Sequence, residues 1–238
     1  MECEVQTGLG PVKIDVQEKP IKSVRLRVTP KGEVALSIPL GTSEKTIQEL
    51  LKGREGWIEE RLQIFKKTKP IEKEGLIRSG SATRILGRQL YIKVIQSPQK
   101  KIERADRFLL IYTPRPNNFE AVEAQFRNWW QKTSKAFFLE RIDQLFPIFA
   151  RHGVQRPKLM VKKLQTLWGS CSRSKGNITL NYYLFKAPVN CIEYVIFHEL
   201  LHFLYPHHDE NFKTMLTVYM PDWQERRRLL DFEIIQGF

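Results

Sequence analysis

Four of the five histidines in this chain fall inside one short run, FHELLHFLYPHHDENF, residues 197–212, and a glutamate follows the first of them. His198 and His202 are four apart. Four residues turn an α-helix by about 400°, so both imidazoles leave one face, one turn apart. The run from Val189 to Tyr205 lacks glycine and proline and has an apolar face of Ile192, Val195, Ile196, Leu200, Leu201 and Leu204, so it reads as a helix. Two imidazoles at this spacing can share one tetrahedral Zn²⁺. Glu199 stands about 100° round the helix from His198. It is poorly placed as a third ligand and well placed to act on a water at the metal, which is the mechanical content of an H-E-x-x-H helix.

A catalytic zinc takes a third protein ligand and keeps one open position. Pro206 disfavours helical geometry at Tyr205 and is expected to end the helix there. His207 and His208 follow, and spacing alone does not choose between them as the third ligand. Glu225 or Glu233 is a weaker alternative, since each reads more simply as a solvated helix charge. Asp209 is placed to cap a further helix built on Phe212, Leu216 and Tyr219.

Other elements must hold this helix. SVRLRVTP and EVALSIPL alternate apolar and polar residues around Pro30-Lys31-Gly32, which predicts a hairpin. From Thr42 or Ser43 a helical pattern runs through Ile47, Leu50, Leu51, Trp57, Ile58 and Leu62, broken near Gly53. ATRILGRQLYIKVIQ and RFLLIYTP read as strands, followed by a long amphipathic helix from residue 117, closed by Pro147 and Gly153. PKLMVKKL and GNITLNYYLF supply two more strands before the histidine helix, and one or two helices close the chain. Strands come in runs rather than alternating with helices, so the fold class is α+β. The expected domains are a β-rich 1–115 with helices and a helix–sheet–helix 116–238 carrying the chemistry.

Composition narrows the rest. The 238 residues are 42% hydrophobic and 27% charged, an ordinary globular balance. MECEVQTGLG is no signal peptide, and no apolar run nears the roughly 20 residues that span a bilayer. Cys3, Cys171 and Cys191 are odd in number and lack CxxC spacing. Together these lead to the expectation of a soluble cytoplasmic protein without a membrane partner. The formal charge is +13, and residues 151–186 hold eight Lys or Arg with no Asp or Glu. Such a field suits an anionic small molecule, an acidic protein or nucleic acid, although no nucleic-acid-binding motif accompanies it.

WGSC, Trp168 to Cys171, lies between the two later strands and reads as a tight turn beside an aromatic. Its backbone N–H groups or Ser170 could position substrate, and Cys171 could be a nucleophile, although no orienting residue stands near it. The run WGSCSRSKGNITLNYYLFKAP…YVIFHELLHFLYPHHDENF…MPDW resembles the YgjP-like family of zinc metallopeptidases, a WGSC…HExxH type related to gluzincins. SVRLRVTPKGEVALSIPLGTSEKTIQELLKGREGWI and LGRQLYIKV extend the likeness over nearly the whole chain.

The resemblance implies a zincin-like domain, Zn²⁺ as cofactor, His198, His202 and His208 as ligands, and Glu199 as general base. Trp168, Gly169, Ser170 and Cys171 are the candidate substrate-binding residues on the functional reading of WGSC. The chain departs from the family pattern in having His207 where Asn is usual and Leu167 where Arg precedes WGSC. The activity implied first is peptide or protein hydrolysis. Cleavage of UTP to UMP and pyrophosphate, and proteolysis of DNA-associated proteins, use the same machinery.

Overall fold

The hairpin predicted from alternation forms as β3 (Arg25–Val28) and β4 (Val34–Pro39), paired antiparallel from Arg25 opposite Ser37 to Val28 opposite Val34. The structure, a computed structural model, describes residues 2–21, 23–29, 32–66, 76–164 and 167–235; Pro30 and Lys31 of the expected turn lie outside these. β1 (Glu2–Thr7) and β2 (Gly10–Lys19) complete a sheet of order β1-β2-β4-β3. Ser43 caps α1 (Glu44–Lys52) by accepting from the Thr46 N–H, and Gly53 separates it from α2 (Glu55–Lys66). Ile14, Val16, Leu36 and Ile38 of the sheet bury Ile47, Leu51 and Ile58 of the helices, an independent small core.

The second unit carries the histidines. β5 (Ala82–Ile85), β6 (Arg88–Gln96), β7 (Lys101–Ala105) and β8 (Phe108–Thr113) form a sheet of order β5-β6-β8-β7. After α3 (Phe119–Ala150) come β9 (Lys158–Lys162), β10 (Gly169–Ser172) and β11 (Asn177–Asn181), ordered β10-β11-β9. A 3₁₀ turn (Tyr182–Lys186) leads into α4 (Val189–Leu201), α5 (Glu210–Tyr219) and α6 (Trp223–Ile235). The architecture is α+β, as expected.

The chain divides into compact units built on Met1–Glu72 and Lys73–Glu233, which does not coincide with the 115/116 boundary read from the sequence. The reason is packing. Ile85, Leu90, Ile92, Leu109 and Ile111 of the first sheet share one core with Trp130, Phe138, Phe197 and Leu200. Leu86 and Gly87 donate to the carbonyls of Phe185 and Lys186, both at 2.9 Å, which ties the β5–β6 turn to the 3₁₀ turn before α4. Gly87 has φ +80°, and a Cβ there would meet Pro188 at 3.1 Å, so the turn accepts only glycine without strain.

Three local expectations are corrected. Pro147 sits inside α3 and does not end it. Fully buried Phe149 packs on Phe197 of α4, centroids 4.9 Å apart, and holds the last turn despite the missing N–H. The strand expected through NYYLF stops at Asn181, whose side chain accepts from the Tyr183 N–H and caps the 3₁₀ turn. WGSC is no tight turn: Gly169 to Ser172 are a strand, paired from Gly169 opposite Leu180 to Ser172 opposite Asn177. Among the described residues no helix is long and apolar enough to cross a membrane.

Candidate active site

α4 is buried nearly all round, which is why its apolar residues do not form a narrow stripe. It is regular only to Leu201, with His202 at the cap, several residues short of the end expected at Tyr205. Phe203, Leu204 and Tyr205 then donate to the carbonyls of Leu200, Leu201 and Leu201, tightening the last turn before Pro206. Asp209 accepts from the Phe212 N–H at 2.9 Å and starts α5, as its position predicted.

This reversal brings His208 back to the helix. The ring centroids of His198, His202 and His208 lie 4.8–4.9 Å apart, and one ring nitrogen from each falls within 4.8 Å of the others. Nε2 of His208 is 2.9 Å from Nε2 of His198. His202 turns Nδ1 to the Tyr205 carbonyl at 3.2 Å, so its Nδ1–H can donate there and leave Nε2 free as a ligand. Exposed His207 is not in the cluster. Phe212 lies against all three imidazoles, with centroids 4.7–5.0 Å away, and is itself buried.

The electrostatics suit a cation. Burial, with His202, His208 and Arg227 adding to it, lowers the His198 pKa to about 3. Burial also lowers His202 and His208, so all three are biased to the neutral form that ligates. Glu199 is 6% exposed, its Oε2 has no hydrogen-bond partner among the described residues, and burial raises its carboxyl pKa to about 8. Three converging imidazole nitrogens biased to the neutral form make a donor set that fits a divalent metal. Of the two weaker alternatives on α6, Glu225 is exposed and no part of the cluster, and the side chain of Glu233 lies outside those described.

The WGSC residues meet the site through their backbone. A Cβ on Gly169 would stand 2.7 Å from Glu199 Cγ and 2.8 Å from its Oε1, so β10 passes over the carboxylate at a distance only glycine permits. Asn181 supports this approach. It donates to the Leu164 and Leu167 carbonyls, each at 2.9 Å, and its N–H donates to the Trp168 carbonyl at 2.8 Å. Trp168 is half-buried against the core, and Ser170 is half-buried opposite Thr179. Cys171 shares the α4-facing side of the strand with Gly169. Burial and the nearby Glu199 charge push its thiol up to about 11, which is the wrong direction for a nucleophile.

Phe212, Asn181 and Arg227 had no functional reading in the sequence. Phe212 looked like an ordinary apolar helix position. Arg227 is on α6, whose preceding Arg226 binds the Asn190 carbonyl at 3.2 Å and whose Trp223 stacks on Tyr194, itself edge-on to His198. Only this packing brings its charge near the cluster. Within the basic window, Arg156 pairs with Asp143 at 2.6 Å, and Lys163 and Lys186 both stand over Tyr183.

A helix bearing His-Glu-x-x-His, a third histidine returned by a turn, and a strand laid over the glutamate make up the candidate site. The chain belongs to the YgjP-like metallopeptidase family, whose domain matches residues 22–233. No curated protein gives a match. Among solved structures, the metallopeptidase zymogen abylysin of Pyrococcus abyssi is 20% identical, covering 42% of this chain and 98% of its own, with a TM-score of 0.37. A likeness of that degree adds no argument.

Proposed function

We propose that this protein is a zinc-dependent peptidase in which His198, His202 and His208 hold the metal and Glu199 is the general base. The convergence of the three imidazole nitrogens, with buried Glu199 next to His198 on the same helix, carries this reading. Zinc held there supplies positive charge that lowers the pKa of water from 15.7 towards about 7 and polarises the attacked carbonyl. Glu199 takes the proton of the attacking water and returns it to the departing amine nitrogen. Burial suits Glu199 to both halves of this task, because it raises the affinity of the carboxylate for the proton it must briefly hold. His202 keeps its orientation through the Tyr205 carbonyl, and Phe212 limits the tilt of all three rings.

A peptide is favoured over a nucleotide by β10. Among the described residues this strand pairs only with β11, and its other edge can accept an extended segment as an added strand. Gly169 then fixes the distance between that segment and Glu199. The nucleoside triphosphate reading rests on the basic window, in which Arg156 is paired with Asp143. Hydrolysis of a casein-type protein and of a nucleoside triphosphate panel, side by side with and without chelator, separates the two. Chelator-sensitive proteolysis that Glu199→Gln abolishes with zinc retained is the expected result. Turnover of triphosphates alone would overturn the peptidase reading.

A further inference from the structure

The sheet β5-β6-β8-β7 has one face in the core shared with α4, through Ile85, Leu90, Ile92, Leu109 and Ile111. Alternation sends Tyr91, Lys93, Phe108, Tyr112 and Lys101 to the opposite face. Tyr91 stands directly opposite Phe108, with ring centroids 6.4 Å apart, and Lys101 stands opposite Tyr112. Tyr91 is 44% exposed. Cations interleave with the rings: Lys93 Nζ is 3.8 Å and the Arg107 guanidinium 5.6 Å from the Phe108 centroid, and Lys101 Nζ is 5.9 Å from that of Tyr112. Glu103 also faces outward, but it is engaged by Lys101 and the Tyr112 hydroxyl.

Aromatic rings on adjacent strands with lysines between them match a particular chemistry. Flat π faces take bases by stacking, and ammonium and guanidinium groups take the phosphates that join them. A second copy of the same face would set positive charge against positive charge. An acidic protein surface would answer the cations and leave the rings without stacking partners. A duplex offers phosphates but keeps its bases stacked on one another.

We propose that this outer sheet face binds single-stranded nucleic acid, with bases on Tyr91, Phe108 and Tyr112 and phosphates held by Lys93, Lys101 and Arg107. A base entering over Phe108 displaces Lys93 from the ring towards the phosphate. An exposed cation–π contact is weaker than a base–aromatic stack, so the exchange is favourable. The net charge of +13 adds long-range attraction. The proposal is independent of the peptidase reading, since it uses neither the histidines nor Glu199.

Fluorescence anisotropy of a labelled oligothymidylate, with an equal-length duplex and heparin as comparators, tests it on the full chain. Binding should weaken with salt, exceed that of the duplex, and fall about tenfold or more in Tyr91→Leu with Tyr112→Leu. Tyr91→Phe keeps the π face and should retain affinity, which separates stacking from a damaged fold. Lys93→Gln with Lys101→Gln should reduce the slope of log affinity against log salt by about 1.4, from two phosphates at about 0.7 each. Absent binding at low salt, equal affinity for duplex or heparin, or indifference to the Tyr→Leu changes would overturn the proposal.

Discussion

Replacing Glu199 by Gln keeps the shape of the side chain and removes its titration, so chelator-treated protein should become more stable at pH 8 and not at pH 5. Burial lifts the carboxyl from 4.5 to about 8, so the folded chain keeps a proton that the unfolded chain releases. Folded-state stability therefore falls as pH rises through this window. The interval is about 3.5 units at about 1.36 kcal/mol each, or about 5 kcal/mol, a ceiling reached only if no water enters the cleft. His198 has the opposite sense. Its pKa is lowered from 6.5 to about 3, so the stability it affects is lost as pH falls through that range, equally in both proteins. The difference between variant and wild type isolates Glu199. Urea denaturation at a series of pH values measures it, and at about 2–4 °C per kcal/mol the matching shift in Tm is on the order of 10 °C at pH 8. Adding zinc should close the gap, because a cation beside Glu199 favours its ionised form. Parallel pH profiles in chelator for the two proteins would refute the reasoning: Glu199 would then be solvated and charged, not buried against β10.

His208→Ala should empty the metal site and His207→Ala should not, with elemental analysis expected to find about one zinc per wild-type chain. Gly169→Ala should retain zinc yet lose activity, since its Cβ would stand 2.7 Å from Glu199 Cγ; metal content against turnover checks this. Phe212→Ala should cost about 3–5 kcal/mol of stability, read by denaturation, and weaken metal affinity about tenfold or more, read by competition with a chromogenic chelator. Asn181→Ala, which loses its side-chain bonds to the Leu164 and Leu167 carbonyls and the Tyr183 N–H, should cost about 2–4 kcal/mol and lower activity through β10.

The local chemistry of the site was legible because it depends on short-range geometry. Four-residue spacing puts His198 and His202 on one helix face whatever the surroundings, and Asp209 caps α5 through its own Phe212 N–H. The β3–β4 hairpin and the break at Gly53 were read in the same way, from alternation and from a residue that suits a helix end. What escaped the sequence depends on partners distant along the chain. Pro147 stays within α3 because Phe149 packs on Phe197, 48 residues further on. WGSC is a strand because Leu180 and Asn177 pair with it, and its glycine is required by Glu199, thirty residues away. The choice of His208 over His207 was open to spacing, since neighbouring residues differ only in the direction they leave the chain. The turn after Leu201, held by hydrogen bonds to the Leu200 and Leu201 carbonyls, sets that direction. The extent of the catalytic unit was hidden for a similar reason: Ile92 and Leu109 read as ordinary strand residues, and only packing puts them in one core with Phe197 and Leu200. Periodicity reports which side of an element is apolar; what that side meets is decided by contacts between residues far apart in the chain.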